Sequence, residues 1–291
     1  MDDKLYGGIE AGGTKFICAV GSAPDKISEQ ITLLTTSPSE TLENVISFFK
    51  KWPTLHSVGI ASFGPIDLDE KSATYGFITT TPKYDWQNVG LLNYIKSGLN
   101  VPVALDTDVN GAVLGEHLYG SGRGLNGLAY MTVGTGIGVG SIVNNKLIKG
   151  LSHTELGHTL VPNIKANEEK SSCPYHSNCL EGLASGTALR QQWGIPAEDI
   201  NDSMAWEIEA KYLAYGLVNV IVATLPKRIV IGGGVMNHEG LLENVRRNVK
   251  LTLNGYLKLA ELTDQVDNYI ILPGLGELSG VTGAIYLAAN L

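Results

Sequence analysis

The residues most suited to chemistry cluster between Ser152 and Ser185, in SHTELGHTLVPNIKANEEKSSCPYHSNCLEGLAS. Cys173, His176 and Cys179 form C-x-x-H-x-x-C downstream of His158, which gives two thiolates and two imidazoles, the donor set that tetrahedral zinc prefers. Two buried thiols and two satisfied histidines could also fall together by chance. This loop, however, is rich in Ser, Asn, Pro and Lys and has little apolar content to bury them. In a chain with three cysteines the spacing predicts a structural zinc. Glu155 and Glu181 are interleaved with these residues and are not needed as ligands once four N and S atoms are present. Carboxylates and an imidazole held rigid by a metal suit the hydroxyl groups of a sugar.

Asp108 lies where the strand Val101–Leu105 gives way to a helix running from about Val109 to Tyr119. Asp caps helices well, so a structural role is open. The alternative is a general base at the head of a cleft, and the pair Asp106 and Asp108 has no basic partner in the same turn. Three glycine turns offer backbone N–H groups to anions. Ala11-Gly12-Gly13-Thr14-Lys15 separates the strands Leu5–Glu10 and Phe16–Val20. It is not a Walker A loop, because the order is Gly-Gly-Thr-Lys and a strand follows. Gly134-Thr135-Gly136-Ile137-Gly138 likewise runs into a strand and an Asn144-Asn145 hairpin, which excludes a dinucleotide fingerprint that would have to open a helix. Gly232-Gly233-Gly234-Val235 follows a strand and leads to the helix Leu241–Leu253, where adenosine or phosphate can lie against bare backbone.

The elements that must position these groups follow from periodicity. Strands are expected at Ile27–Leu34, Ser57–Ala61, Leu128–Val133, Val139–Val143, Lys146–Ile148, Arg228–Ile231 and Tyr269–Pro273. Ser62-Phe63-Gly64-Pro65 turns at the C-terminal edge of one of them, the usual location of ligands in α/β sheets. Helices are expected at Pro38–Trp52, with Ser39 as N-cap, and at Leu91–Leu99, Gly186–Trp193, Ser203–Ala223 and Ser279–Asn290. The aromatic loop Thr79–Trp86 either lines a pocket or covers the core, and Cys18 reads as a small buried hydrophobe. Strand, glycine turn and strand recur in both halves, so two similar α/β domains are expected. Residues 1–120 form the first, completed by the helix 279–291, and 121–278 form the second, carrying the zinc loop 153–181. The boundary lies in Gly120–Gly127.

At 291 residues, with 44% hydrophobic and 17% charged, the chain is globular and long enough for two domains. The formal net charge of -8 argues against nucleic-acid or anionic-membrane binding and favours a small-molecule partner. Met1–Lys4 is polar and the apolar run Gly216–Val235 is interrupted by polar residues. These features lead us to expect neither a secretory signal nor a membrane span, and a cytoplasmic location.

IEAGGTK (Ile9–Lys15), GIASFGP (Gly59–Pro65), DTDVNGAVLGE (Asp106–Glu116), VGTGIG (Val133–Gly138), ELGH (Glu155–His158), CPYHSNCLEG (Cys173–Gly182) and Gly232–Val235 together resemble the ROK family of sugar kinases and repressors, most closely its bacterial fructokinase branch. The resemblance implies a two-domain actin-like ATPase (ribonuclease H-like) fold with a central cleft, ATP-dependent phosphorylation of fructose to fructose 6-phosphate, Mg²⁺ with the ATP, and a homodimer. It implies Asp108 as general base, with Gly64, Asp108, Glu155, His158 and Glu181 around the sugar. Gly12, Gly13, Thr14, Lys15, Thr135 and Gly136 would hold phosphates, Gly233 and Gly234 adenosine, and Glu10 or Asp106 the magnesium. Glu10-Ala11 and Thr107 stand where many family glucokinases carry Asp-Leu and Asn, which resembles the fructokinase branch and weakens a glucose assignment; a kinase for another hexose, mannose or glucose, is the alternative. Two other functions fit the sequence less well. A sugar-sensing repressor would carry an N-terminal helix-turn-helix, whereas the first strand begins by Leu5; a non-catalytic sugar-binding scaffold would have no need of Asp108 and three glycine turns.

Overall fold

The computed structural model describes residues 4–165 and 170–291. Residues 1–3, which open the expected first domain, and 166–169, inside the expected zinc loop, lie outside the described residues. The chain divides into two compact units. One comprises Met1–Gly124, Lys149–His153 and Gly274–Leu291; the other comprises Leu125–Ile148 and Thr154–Pro273.

In the first unit β1 (Leu5–Ala11) and β2 (Lys15–Ala23) form a hairpin around the Gly12–Thr14 turn, and β3 (Lys26–Leu34) extends it antiparallel. α1 (Pro38–Phe49) returns the chain to β4 (Leu55–Ser62), which pairs parallel to β1. α2 (Leu91–Leu99) then leads to β5 (Val103–Thr107), parallel to β4, and α3 (Asp108–Leu118) follows directly. The strand order is β3-β2-β1-β4-β5. α1 starts two residues earlier than its expected cap requires. Ser37, not Ser39, accepts the Glu40 N–H, because Pro38 is pre-set for the first helical position and needs no donor.

The second unit repeats this plan. β6 (Gly127–Val133), β7 (Ile137–Val143) and β8 (Lys146–Leu147) form the antiparallel meander, with Asn144 and Asn145 at φ 51° and 61° in the hairpin turn. α4 (Leu180–Ala184), α5 (Gly186–Trp193) and the long α6 (Ser203–Thr224) precede β9 (Ile229–Gly232), which runs parallel to β6. α7 (Leu241–Leu253), α8 (Ala260–Thr263) and α9 (Val266–Tyr269) precede β10 (Ile270–Ile271), which adds parallel to β9. The order β8-β7-β6-β9-β10 is the order of the first sheet, strand for strand. The core of this unit joins Met131, Val133 and Ile231 of the sheet to Leu213, Leu217 and Ile221 of α6 and Val245 of α7.

α10 (Ser279–Ala289) belongs to the first unit and packs on β1, β4 and α3. β2 alternates accordingly: Phe16, Cys18 and Val20 face the cluster of Leu42, Val45 and Trp86, while Ile17 and Ala19 meet Val281 and Ile285 of α10. The contact is close enough to demand glycine. A Cβ at Gly59 would stand 1.9 Å from the Ala284 carbonyl oxygen, and one at Gly283 would stand 1.8 Å from that of Gly111. The loop before α2 covers the core with Trp86, whose indole N–H donates to Thr36, while Tyr84 of the same loop is exposed. Among the described residues no helix is long and apolar enough to cross a membrane.

Candidate functional site

The short turn Leu156–His158 presents His158, and the segment before α4 presents Cys173, His176 and Cys179; their ligand atoms all lie within 4.8 Å of one another. His158 Nδ1 is 3.8 Å from Cys173 Sγ and 3.5 Å from Cys179 Sγ, and His176 Nδ1 is 3.5 Å from Cys173 Sγ. Both thiols are buried, and burial pushes the Cys179 thiol up to about 12. The desolvated Cys179 sulfur is a poor anion by itself, and a cation among the four ligand atoms would remove that penalty. The four residues are grouped so that they could hold one metal ion. Leu160 and Cys179 bridge the loop to itself, and the Cys179 sulfur caps α4 by accepting the Gly182 N–H.

The two nitrogens of His158 face different partners. Nδ1 points to the sulfurs, and Nε2 lies 3.7 Å from Glu181 Oε1. The other oxygen of Glu181 accepts the Ile137 N–H at 2.9 Å, at the end of the Thr135-Gly136 turn. The turn is also held by Gly134, whose carbonyl accepts the Gly186 N–H at 2.7 Å, and by Thr135, whose carbonyl accepts the Thr187 hydroxyl at 2.7 Å. Glu155 is exposed at the start of the His158 turn. Gly233 stands at φ 95° with its Cα against the Val133 carbonyl, where a Cβ would come within 2.4 Å, and Gly234 opens the following helical turn. The second unit thus brings together the metal-type ligands, Glu155, Glu181, Thr135 and Gly136.

In the first unit Thr107, not Asp108, caps α3: its hydroxyl accepts the Asn110 N–H, and Asp108 occupies the first helical position. The N-cap is therefore its neighbour, while Asp108 Oδ1 accepts the Val109 N–H of the first turn at 2.8 Å. Asp106 is buried with both oxygens engaged, Oδ1 by the Thr107 N–H and the Asn110 amide and Oδ2 by Lys149 at 2.8 Å. Lys149 supplies the basic partner absent from the local sequence. Glu10, at the end of β1, has a buried Oε2 with no hydrogen-bond partner among the described residues. Burial and then the charge of Asp108 raise its carboxyl to about 7, against the opposing pull of Lys15. Gly12 donates to the Lys15 carbonyl at 3.0 Å and accepts the Thr35 hydroxyl, so the turn carrying Gly13 and Thr14 is braced from β3. Lys15 pairs with Glu277 at 3.2 Å. Gly64 follows β4 and joins Pro65 through a cis peptide.

Sequence reasoning assigned no role to Lys149 or to Glu116. Glu116 is fully buried on α3. Its Oε2 accepts the N–H groups of Ser121 and Gly274, and its Oε1 accepts the Leu275 N–H and the Ser279 hydroxyl. The available signal was a single acid in the mostly apolar run VNGAVLGEHL.

The sequence profile of the ROK family matches residues 6–290. A putative fructokinase of Bacillus subtilis is 44% identical over 285 residues, covering 98% of this chain and 95% of that one. The fructokinase of Pediococcus pentosaceus is 42% identical over 285 residues, covering 98% and 97%. Among solved structures, a ROK family glucokinase from Streptomyces griseus in complex with glucose and AMPPNP superposes with a TM-score of 0.78 at 25% identity, covering 99% of this chain and 100% of that one. The repeated β3-β2-β1-β4-β5 sheet plan, the Cys/His cluster and a profile match spanning nearly every residue lead to one conclusion: the chain belongs to the ROK family.

Proposed function

We propose that the protein is an ATP-dependent fructokinase that transfers the γ-phosphoryl of ATP to the 6-hydroxyl of fructose. The observation that carries this is the similarity, over almost the whole of each chain, to proteins that are fructokinases. Thr107 supports fructose over glucose. Its side chain is spent on capping α3, so no amide is offered from the position where many family glucokinases carry Asn.

Asp108 is proposed as the general base. It takes the proton of the attacking hydroxyl as the oxygen approaches the γ-phosphorus; its Oδ1 also accepts the Val109 N–H of the first turn of α3 at 2.8 Å, while Thr107 serves as the cap. Gly64, Glu155, His158 and Glu181 are proposed to bind and orient the sugar hydroxyls. Gly12, Gly13, Thr14, Lys15, Thr135 and Gly136 are proposed to hold the nucleotide phosphates, and Gly233 and Gly234 to lie against adenosine. Mg²⁺ bound with ATP supplies charge neutralisation at the transferring phosphoryl. Glu10 or Asp106 is proposed to meet it; Asp106 is already paired with Lys149, and Glu10, buried with its carboxyl raised to about 7, would have to lose its proton to do so.

His158, Cys173, His176 and Cys179 are proposed to hold a structural zinc. Zinc bonds of about 2.0–2.1 Å to nitrogen and 2.3 Å to sulfur at tetrahedral angles set N···S edges of about 3.6 Å. Three such edges here span 3.5–3.8 Å. A cytoplasmic location and a homodimer are part of this proposal. A coupled assay with ATP and a panel of fructose, mannose, glucose and N-acetylmannosamine tests the reading. Fructose should give the highest kcat/KM, and a clear preference for another hexose would reassign the substrate.

A further inference from the structure

Glu181 was expected to serve the sugar, yet its carboxylate is also built into the turn that precedes β7. Oε2 accepts the Ile137 N–H at 2.9 Å, and the turn passes so close to the carboxylate that a Cβ on Gly136 would stand 2.6 Å from Oε2. Oε1 faces His158 Nε2 at 3.7 Å, and the opposite nitrogen of that ring lies among the cysteine sulfurs. The far side of the same strand end is closed as well. A Cβ at Gly157, next to His158, would fall 1.8 Å from the Ile137 carbonyl oxygen. Ile137 is therefore gripped between the His158 turn and the Glu181 side chain, both of which are placed by the Cys/His cluster. Cys179 caps the helix on which Glu181 sits, at its second position.

We propose that Glu181 is a positioning residue for the Gly134–Ile137 turn, tying it through His158 to the metal centre, so that affinity for the nucleotide's phosphates depends on the metal even when no sugar is bound. A residue that oriented only the sugar would have no hydrogen bond to this turn and no glycine packed on its carboxylate. The nucleotide part of this inference rests on the assignment of the turn to ATP phosphates proposed above; the grip on Ile137 does not. A hydrogen bond from a backbone N–H to a carboxylate is among the stronger ones, and its loss in a partly buried turn is expected to weaken binding at that turn by about tenfold or more.

The test uses the full-length, metal-loaded protein without sugar. Amide hydrogen exchange at Ile137 and calorimetric affinity for AMPPNP with Mg²⁺ are measured for wild type, Glu181→Ala and Glu181→Gln, and for wild type stripped of metal by chelation. The Ala variant should lose protection at Ile137 and bind AMPPNP about tenfold or more weakly. The Gln variant, which keeps one acceptor oxygen, should fall between it and wild type, and stripping the metal should shift both readouts in the same direction. If the Ala variant fails to fold, the Gln variant and the stripped wild type give the same two readouts. Unchanged Ile137 protection and unchanged AMPPNP affinity in the variants would overturn the proposal. A wild type that binds no AMPPNP, while Ile137 protection still depends on Glu181, would overturn the nucleotide assignment and leave the tie to the turn standing.

Discussion

Replacing Glu116 tests how the first unit is held at its chain crossings. Its carboxylate is fully buried and accepts four hydrogen bonds, at 2.7 Å from Ser121 N, 3.1 Å from Gly274 N, 2.9 Å from Leu275 N and 2.7 Å from Ser279 Oγ. Glu116→Gln keeps the shape but turns one oxygen into a donor. Placed at Oε2, the new NH₂ would face two N–H groups. Placed at Oε1, it can donate to the Ser279 oxygen, whose hydroxyl then serves the Gly276 carbonyl at 3.0 Å, so that only the Leu275 N–H loses its acceptor. The amide should choose the second orientation, and one buried unpaired donor costs about 1–3 kcal/mol. Glu116→Ala strands three backbone donors and leaves a void, so its loss should reach about 4–5 kcal/mol, the upper end for single substitutions. Trp52 and Trp86 lie in the first unit and Trp193 and Trp206 in the second, so urea unfolding should be followed in variants retaining one pair only. The transition of the first unit should move and that of the second should not. A Glu116→Gln protein within about 0.5 kcal/mol of wild type would refute the reasoning.

Three further outcomes are expected. Gly283→Ala should destabilise the first unit by about 1–3 kcal/mol or more, because its Cβ meets the backbone of α3 at 1.8 Å; a midpoint unchanged in the same unfolding assay would show that α10 can shift. Stability should fall as pH rises from the ordinary carboxylate range to about 7, since folded Glu10 holds its proton there while unfolded Glu10 has lost it; Glu10→Gln should flatten that slope, and an unchanged profile would deny the burial of its ionised form. Purified protein should contain one zinc per chain, and Cys173→Ser should raise KM for the sugar while both α/β cores stay folded; active protein free of metal, or a variant with wild-type kinetics, would remove the metal from the account.

What was legible in the sequence was what is local. The hairpins announce themselves by glycine or Asn-Asn turns between apolar runs, and the duplicated sheet follows from their recurrence. The metal-type ligands were found because all four lie in one short segment, so that residue type and spacing sufficed. The interactions that escaped are those made across the chain. Lys149 answers Asp106 from 43 positions away, and Glu116 meets Gly274 from 158 positions away, with no pattern in either segment to link them. The cap of α3 escaped for a finer reason. Thr107 and Asp108 are both good caps, and only the backbone turn, with Thr107 extended and Asp108 already helical, decides which one serves. The hydrogen bond from the Ile137 N–H to Glu181 escaped likewise, because it spans 44 positions.

The central claim is that this chain phosphorylates fructose with Asp108 as the base. The most direct measurement combines product identification from fructose and ATP with the kinetics and calorimetric sugar binding of Asp108→Asn. The account predicts fructose 6-phosphate from the wild type, with kcat in the variant lowered by about 10² or more and fructose still bound. Absence of phosphorylated fructose, or a variant turning over within about threefold of wild type, would contradict it.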